Sequence, residues 1–370
     1  MKNHQPDYIF ILVVFALIAF GLIILFSASS VISHEKLSQS NYFLKHQLFY
    51  SLPLALIFFI ICQRINYRYW KKVAFPLMVV SLILLALVFV PGIGSESGAK
   101  RWIYLGFSVQ PFEVVKLTFI IYLAALLSRL RKVSEASKED NAQAIKESLA
   151  PFLLVAGIIG LLVSFQPNMS ALVMTSLIAG LLYFLAGARL SYLAALSGLA
   201  LAGFFVLIKV APYRMKRLTV FLHPEWDPQG IGYQINQALL AIGSGGLFGL
   251  GFGHSIQKWK YLPEVIGDSI FAIAAEEFGL IGAGLIVSFF VILAWRGFKV
   301  AKNSSDRFGY LLAGGITGWL FFQAIINISA ISGLIPLTGI PLPFISYGGT
   351  ALVISSVGAG ILVNISKYTK

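Results

Sequence analysis

One cysteine in 370 residues, Cys62, excludes an intrachain disulfide and any metal cage built on thiolates. Histidine is nearly as sparse. The five are scattered, with no His-x-x-His or His-Glu-x-x-His pair, so a histidine-built metal site lacks support. No Gly-x-Ser-x-Gly elbow for acyl transfer occurs. Gly249, Gly251 and Gly253 give Gly-x-Gly-x-Gly, but no Gly-Lys-Ser/Thr follows and no strand precedes, which argues against a nucleotide loop. Charge is the largest deficit: 12% of residues are charged against 58% hydrophobic, with a mean hydropathy of +0.84. A soluble domain of this size does not tolerate that balance, and the chain reads as a polytopic membrane protein. No fixed-period repeat, low-complexity tract or linker divides it, so residues 1–370 form one domain.

What is present is a series of apolar runs. Ten are expected to span, at 8–31, 46–63, 72–90, 111–130, 150–166, 169–187, 190–210, 269–295, 309–331 and 348–366. This predicts an all-α polytopic fold of ten transmembrane helices. The first run, Ile9 to Phe26, exceeds a signal-peptide core, and although Ser27-Ala28-Ser29 has the small residues of a cleavage site, an uncleaved helix is expected. An even number of spans puts both termini on one side. Lys and Arg crowd the loops of that side (Arg64 to Lys72, Arg129 to Lys146, Arg296 to Arg307), and the opposite short loops offer only Lys36, Lys45, Lys100 and Arg101. The positive-inside rule makes the crowded side cytoplasmic. The net charge of +13 is thus mostly a topology signal and not a nucleic-acid footprint.

The large extracytoplasmic loop, 211–268, precedes the eighth span. Within it Ile235, Ala238, Leu239 and Ile242 fall on one face of an amphipathic helix, which Gly243 would end. Such a helix suits the membrane interface or simple packing.

The loop ends at a carboxylate, Asp268, and two more, Glu276 and Glu277, lie two turns into the apolar run that follows. A charge near the bilayer centre is disfavoured by roughly 2.5–3.5 kcal/mol, so acids at such places are functional candidates. Asp268 also suits a helix N-cap, and Glu276 and Glu277 also suit structural pairing. Eight residues of helix separate Asp268 from Glu276 by roughly 12 Å, too far for a close carboxylate dyad. Glu113 and Lys116, three apart at the start of the fourth span, share a face and form an ion pair. That pair either serves function or fixes helix packing.

Longer motifs then become recognisable. Phe221 to Gln237 reads Phe-Leu-His-Pro-Glu-Trp-Asp-Pro-Gln-Gly-Ile-Gly-Tyr-Gln-Ile-Asn-Gln. It leads to Ala241–Gly249, Gln257–Glu264, Asp268–Ala272 and Glu276–Gly282. With Gly98–Trp102, Gln110–Lys116 and Gly339–Thr350, this order resembles the SEDS family (shape, elongation, division and sporulation) from the first span to the last. The segment Gln257–Glu264 is closer to the division-type branch than to the elongation-type. The resemblance implies a peptidoglycan glycosyltransferase that polymerises lipid II at the outer face of the bacterial cytoplasmic membrane, at the division septum. It implies as partners a class B penicillin-binding protein, other division proteins and membrane lipid. By the same resemblance Asp268 is the general base, Glu113 and Lys116 are the family's charged pair, and Lys100 and Arg101 are basic residues ahead of Trp102. Ser346 to Thr350 match the last outer loop. Three positions depart from the pattern. Gly267 and Ser269 flank the aspartate where many members carry Thr and Phe, Asn168 replaces an acid, and Lys100 replaces an Arg.

That chemistry suits the residues. A sugar hydroxyl is a weak nucleophile, which one general base assists by about 10²–10⁴-fold. Pyrophosphate leaves without an acid but needs its charge stabilised, by Lys, Arg or a divalent cation such as Mg²⁺ or Mn²⁺. Lys100, Arg101 and Lys258, with Arg214, Lys216, Arg217 and Lys260, are candidates to hold it, and Ser346 is a further substrate contact. Two other readings remain open: a lipid II flippase lined by Glu113, Lys116, Glu276 and Glu277, and a non-catalytic division scaffold.

Overall fold

The computed structural model describes residues 5–37, 41–92, 94, 101–104, 108–129, 138–166, 168–188, 194, 198, 202, 203, 209 and 212–369. Eleven helices are distinguished among them. They are α1 (Tyr8–Leu37), α2 (Tyr42–Arg64, with a π-helical turn at Gln47–Ser51), α3 (Arg68–Leu87), α4 (Pro111–Leu127), α5 (Lys138–Phe165) and α6 (Met169–Leu185). After these come α7 (Pro212–Leu222), α8 (Ile231–Ser244), α9 (Ile270–Lys302), α10 (Arg307–Ile331) and α11 (Gly349–Ser366). A two-stranded hairpin, β1 (Ile103–Tyr104) and β2 (Ser108–Val109), sits ahead of α4. Nine of the ten predicted spans are helical here, and the seventh, 190–210, lies almost wholly outside the described residues. Helices are required because a bilayer offers the backbone no partners but its own. Six are long and apolar enough to cross by themselves. The fold is an all-helical, multi-span membrane bundle.

Helices α4 and α10 are its centre. Both are buried on nearly every side, as an apolar helix without a polar face must be. Trp319 is the largest fully buried side chain among the described residues.

The two ends of the bundle are chemically distinct. At one end Arg296 holds the Asp7 carboxylate through Nη2 at 2.6 Å, and the Asp7 N–H donates to Ser366 Oγ at 3.1 Å. There too Tyr67 donates to Asp306 at 2.5 Å, and the Arg68 Nε lies 2.9 Å from the same carboxylate. The N-terminal segment, the α9–α10 turn and the end of α11 therefore share one face, the basic one, as an even number of crossings requires. The other end carries the outer loops and Asp268.

Two outer features differ from expectation. The buried seam of α8 is Ile235, Ala238 and Ala241, whereas Leu239 is 42% exposed. Small alanines let α8 approach α9 closely, which turns the bulkier leucine outward. Second, α9 is broken at Gly279 (φ 65°, ψ −164°), a conformation open only to glycine. The outer loop is stitched into the break. Leu250 N–H donates to Glu276 O at 2.9 Å and Gly251 N–H to Glu277 O at 3.1 Å, while Leu280 N–H donates to Gly246 O at 2.9 Å. The break would otherwise leave these groups unpaired at the membrane edge. A Cβ at Gly249 would lie 2.1 Å from Glu277 O, so the Gly-x-Gly-x-Gly run serves close backbone approach.

Candidate active site

Asp268 ends a tight turn whose geometry comes from Glu264. That residue adopts φ 52°, and its carbonyl accepts from the N–H groups of both Gly267 (3.0 Å) and Ser269 (3.2 Å). The carbonyls of residues 266 to 268 are each held from outside. Ile266 O accepts from Tyr347 N–H at 2.8 Å, Gly267 O from Ser346 Oγ at 2.7 Å, and Asp268 O from Asn327 Nδ2 at 2.8 Å. The backbone is fully clamped and the carboxyl is not. Oδ1 is buried and has no hydrogen-bond partner among the described residues. The N-cap of α9 is Ser269, so capping does not explain the aspartate.

Burial is the main cause that raises the Asp268 carboxyl from 3.8 to about 6. The neighbouring Glu264 carboxylate adds to it, and backbone N–H groups and Arg217 oppose it. A carboxyl at about 6 is ionised near neutral pH and still basic enough to take a proton, which is the range a general base needs.

The last outer loop closes over this turn. Gly339, at φ +66°, passes so near that a Cβ there would lie 3.6 Å from Asp268 Oδ2. The loop is fastened at successive carbonyls: Leu337 by Arg217 Nη1 (3.1 Å), Thr338 by Ser170 Oγ, Ile340 by Asn327 Nδ2 (2.7 Å) and Pro341 by Gln323 Nε2 (2.9 Å). Asn327 and Gln323 are four apart on α10 and so face the loop together.

Gln323 connects the site to the charged pair. Its Oε1 accepts from Lys116 Nζ at 2.6 Å and from Trp319 Nε1 at 2.8 Å. Lys116 Nζ lies 2.8 Å from Glu113 Oε1, and both side chains are buried. The expected pair exists, therefore, and acts on the loop beside Asp268 through one glutamine.

The other expected residues are placed as follows. Ser346 belongs to the site: the residue is 5% exposed, and its hydroxyl donates to Gly267 O and accepts from Leu342 N–H, so it positions the turn. Lys258 departs most from expectation. It is 4% exposed, and its ammonium contacts Glu277 Oε1 (3.2 Å), Ser27 Oγ (2.9 Å) and Gly253 O (2.6 Å). The ammonium is thus engaged inside the protein, where an outward-facing cation was expected. The buried Glu277 carboxylate requires a cation, and Lys258 is that cation. Glu276 accepts from Ser255 Oγ at 2.5 Å and Ile256 N–H at 2.9 Å, so it holds the same loop. Arg101, ahead of the hairpin, donates to Gln166 O at 3.2 Å, and Lys100 lies outside the described residues. Lys216 pairs with Asp227 at 3.2 Å. Asn168 caps α6 by accepting from Ala171 N–H at 3.2 Å, a task its amide performs as an acid would. No three His, Cys, Asp or Glu side chains converge as a metal cage among the described residues.

Sequence reasoning missed Asn327, Gln323, Gln234 (Nε2 to Ser269 Oγ, 3.1 Å) and Glu264. Gln323 and Asn327 carried a signal: two amides at i, i+4 in an apolar helix need partners. Asn327→Ala would leave the buried carbonyls of Asp268 and Ile340 without donors, at about 1–3 kcal/mol each. Thermal unfolding in detergent is expected to show a clear drop, larger than for an alanine substitution at exposed Leu285.

Comparison with known proteins agrees with this architecture. The Cell cycle protein family profile FTSW_RODA_SPOVE matches residues 7–370. The chain is 39% identical to Stage V sporulation protein E of Bacillus subtilis (strain 168) over 375 residues, covering 100% of this chain and 99% of that protein. It is 40% identical over 370 residues to the probable peptidoglycan glycosyltransferase FtsW of Trichlorobacter lovleyi, covering 99% and 94%. Among solved structures, a chain of "Structural coordination of polymerization and crosslinking by a peptidoglycan synthase complex" superposes with TM-score 0.78 at 26% identity, covering 98% and 97%. Sporulation and FtsW relatives stand at nearly equal identity, so the comparison places the chain in the family without choosing a branch. The chain belongs to the FtsW/RodA/SpoVE cell cycle protein family, the SEDS family its motifs resemble.

Proposed function

We propose that this protein is a peptidoglycan glycosyltransferase that polymerises lipid II, with Asp268 as general base. One observation carries the reading: a carboxyl clamped by its backbone, left unpartnered at Oδ1 and raised to about 6. Asp268 accepts the proton of the acceptor hydroxyl, whose oxygen attacks the anomeric carbon while the lipid pyrophosphate departs. Arg101 and Lys100 supply charge for that leaving group. A divalent cation would add charge for the same leaving group; no three His, Cys, Asp or Glu side chains converge to hold one among the described residues. The closeness of Gln257–Glu264 to the division-type branch supports a septal, FtsW-like role, with a class B penicillin-binding protein as transpeptidase partner.

The test is polymerisation of lipid II by the purified protein with its partner, followed against pH. The base is active when deprotonated, so the rate is expected to fall about tenfold per pH unit below 6 and to level off above it. A profile flat from pH 5 to 8 would remove Asp268 from the proton transfer.

A further inference from the structure

The outer end of α2 carries a group of rings that nothing above employs. Tyr42, His46 and Tyr50 recur at i, i+4 and i+8, along one helix face. Their rings stack in a row: Tyr42 to His46 at 6.1 Å and 28°, His46 to Tyr50 at 5.2 Å and 28°. Phe43 meets Tyr347 edge-on at 5.2 Å, and the Tyr347 hydroxyl lies 3.1 Å from His46 Nδ1. Tyr42 and Tyr50 are 37% and 66% exposed. A π-helical turn, Gln47–Ser51, falls inside the row, and such turns recur at functional sites.

The row is tied to the Asp268 turn through Tyr347. Its hydroxyl meets His46, and its N–H donates at 2.8 Å to the carbonyl of Ile266, two residues before the aspartate. Pyranose rings present an apolar C–H face and a rim of hydroxyls. Aromatic faces take the first, and imidazole and phenol edges take the second. An interfacial aromatic belt also places tyrosines at this height. In a belt, however, polar tips point separately to headgroups, whereas here the Tyr347 hydroxyl turns inward onto His46 and joins the row to the clamped turn.

We propose that Tyr42, His46 and Tyr50 form a pyranose-binding row that holds a saccharide unit of the substrate or growing glycan on the outer surface that Tyr347 ties to the Asp268 turn. The proposal rests on the transferase reading and goes on to locate the sugar. Its test uses the full-length Asp268→Asn protein and a soluble tetrasaccharide of alternating N-acetylglucosamine and N-acetylmuramic acid, with binding followed by saturation-transfer NMR. Adding Tyr50→Ala is expected to weaken binding about three- to tenfold, the loss of one ring stack. Phe49→Ala, at a residue 67% exposed and in none of these ring contacts, serves as the control and should bind as the parent does. In the otherwise native chain, Tyr50→Ala should raise KM more than it lowers kcat and shorten the glycan strands. Equal binding with and without Tyr50, or binding in no variant, would overturn the row. Polymerisation by Asp268→Asn alone would instead sink the base assignment and leave the binding result standing.

Discussion

Asp268→Asn is expected to reduce lipid II polymerisation by about 10²–10⁴-fold while leaving the fold intact. The amide matches the carboxylate in shape, and the contacts that place the turn run through backbone carbonyls 266 to 268, which the substitution retains. Expression and thermal unfolding should therefore stay close to those of the parent. What is lost is the ability to accept a proton at Oδ1 or Oδ2. Asp268→Glu distinguishes geometry from chemistry. It keeps a base but moves the carboxylate one methylene away from the position the clamped turn gives it, so partial activity is expected. If Asp268→Asn polymerises at the parental rate in the purified complex, some other group takes the proton and the proposed mechanism fails. A scaffold would show no activity in either form, and a flippase would carry lipid II across vesicles without making strands.

Much of this arrangement was legible because a bilayer makes polar residues expensive. Apolar runs located nine helices, and acids at a span boundary pointed to Asp268 and to the Glu113–Lys116 pair. What was not legible was long-range partnership. Lys116 meets Gln323 across 207 residues, and Ser346 meets Gly267 across 79. Neither separation leaves a local pattern. Lys258 shows what this hides. In sequence it lies between Gln257 and Trp259 in a polar loop, where a lysine reads as a surface cation. The sequence does carry a compensating signal, since two adjacent glutamates in an apolar run demand donors, but that demand does not name its source. The α8 seam failed differently: periodicity identified the helix and not which of two adjacent faces was buried.

Lys258→Met is expected to destabilise the protein by about 3–5 kcal/mol, because it leaves the Glu277 carboxylate buried at the membrane edge without its cation. The damage should not be confined to one side chain. Glu276 and Glu277 hold the 255–258 loop by side chain, and their backbone carbonyls hold Leu250 and Gly251 at the α9 break. Solvating a stranded carboxylate would open that seam. Glu277→Gln combined with Lys258→Met removes both charges and keeps a partner for Ser27 Oγ, which now lies 2.5 Å from the carboxylate. The double variant should therefore recover most of the loss, as neutral replacements of buried ion pairs often do. Thermal unfolding of the four proteins in detergent closes the cycle. A single substitution costing under about 1 kcal/mol, as exposed pairs do, would mean that water reaches Lys258. Failure of the double variant to recover would mean that the lysine acts through its bond to Gly253 O, with the ion pair secondary. Polymerisation measured on the stable double variant then separates the two halves of the outer surface. If Lys258 serves only to anchor the loop, activity returns with stability; a pyrophosphate ligand would leave the double variant folded and impaired.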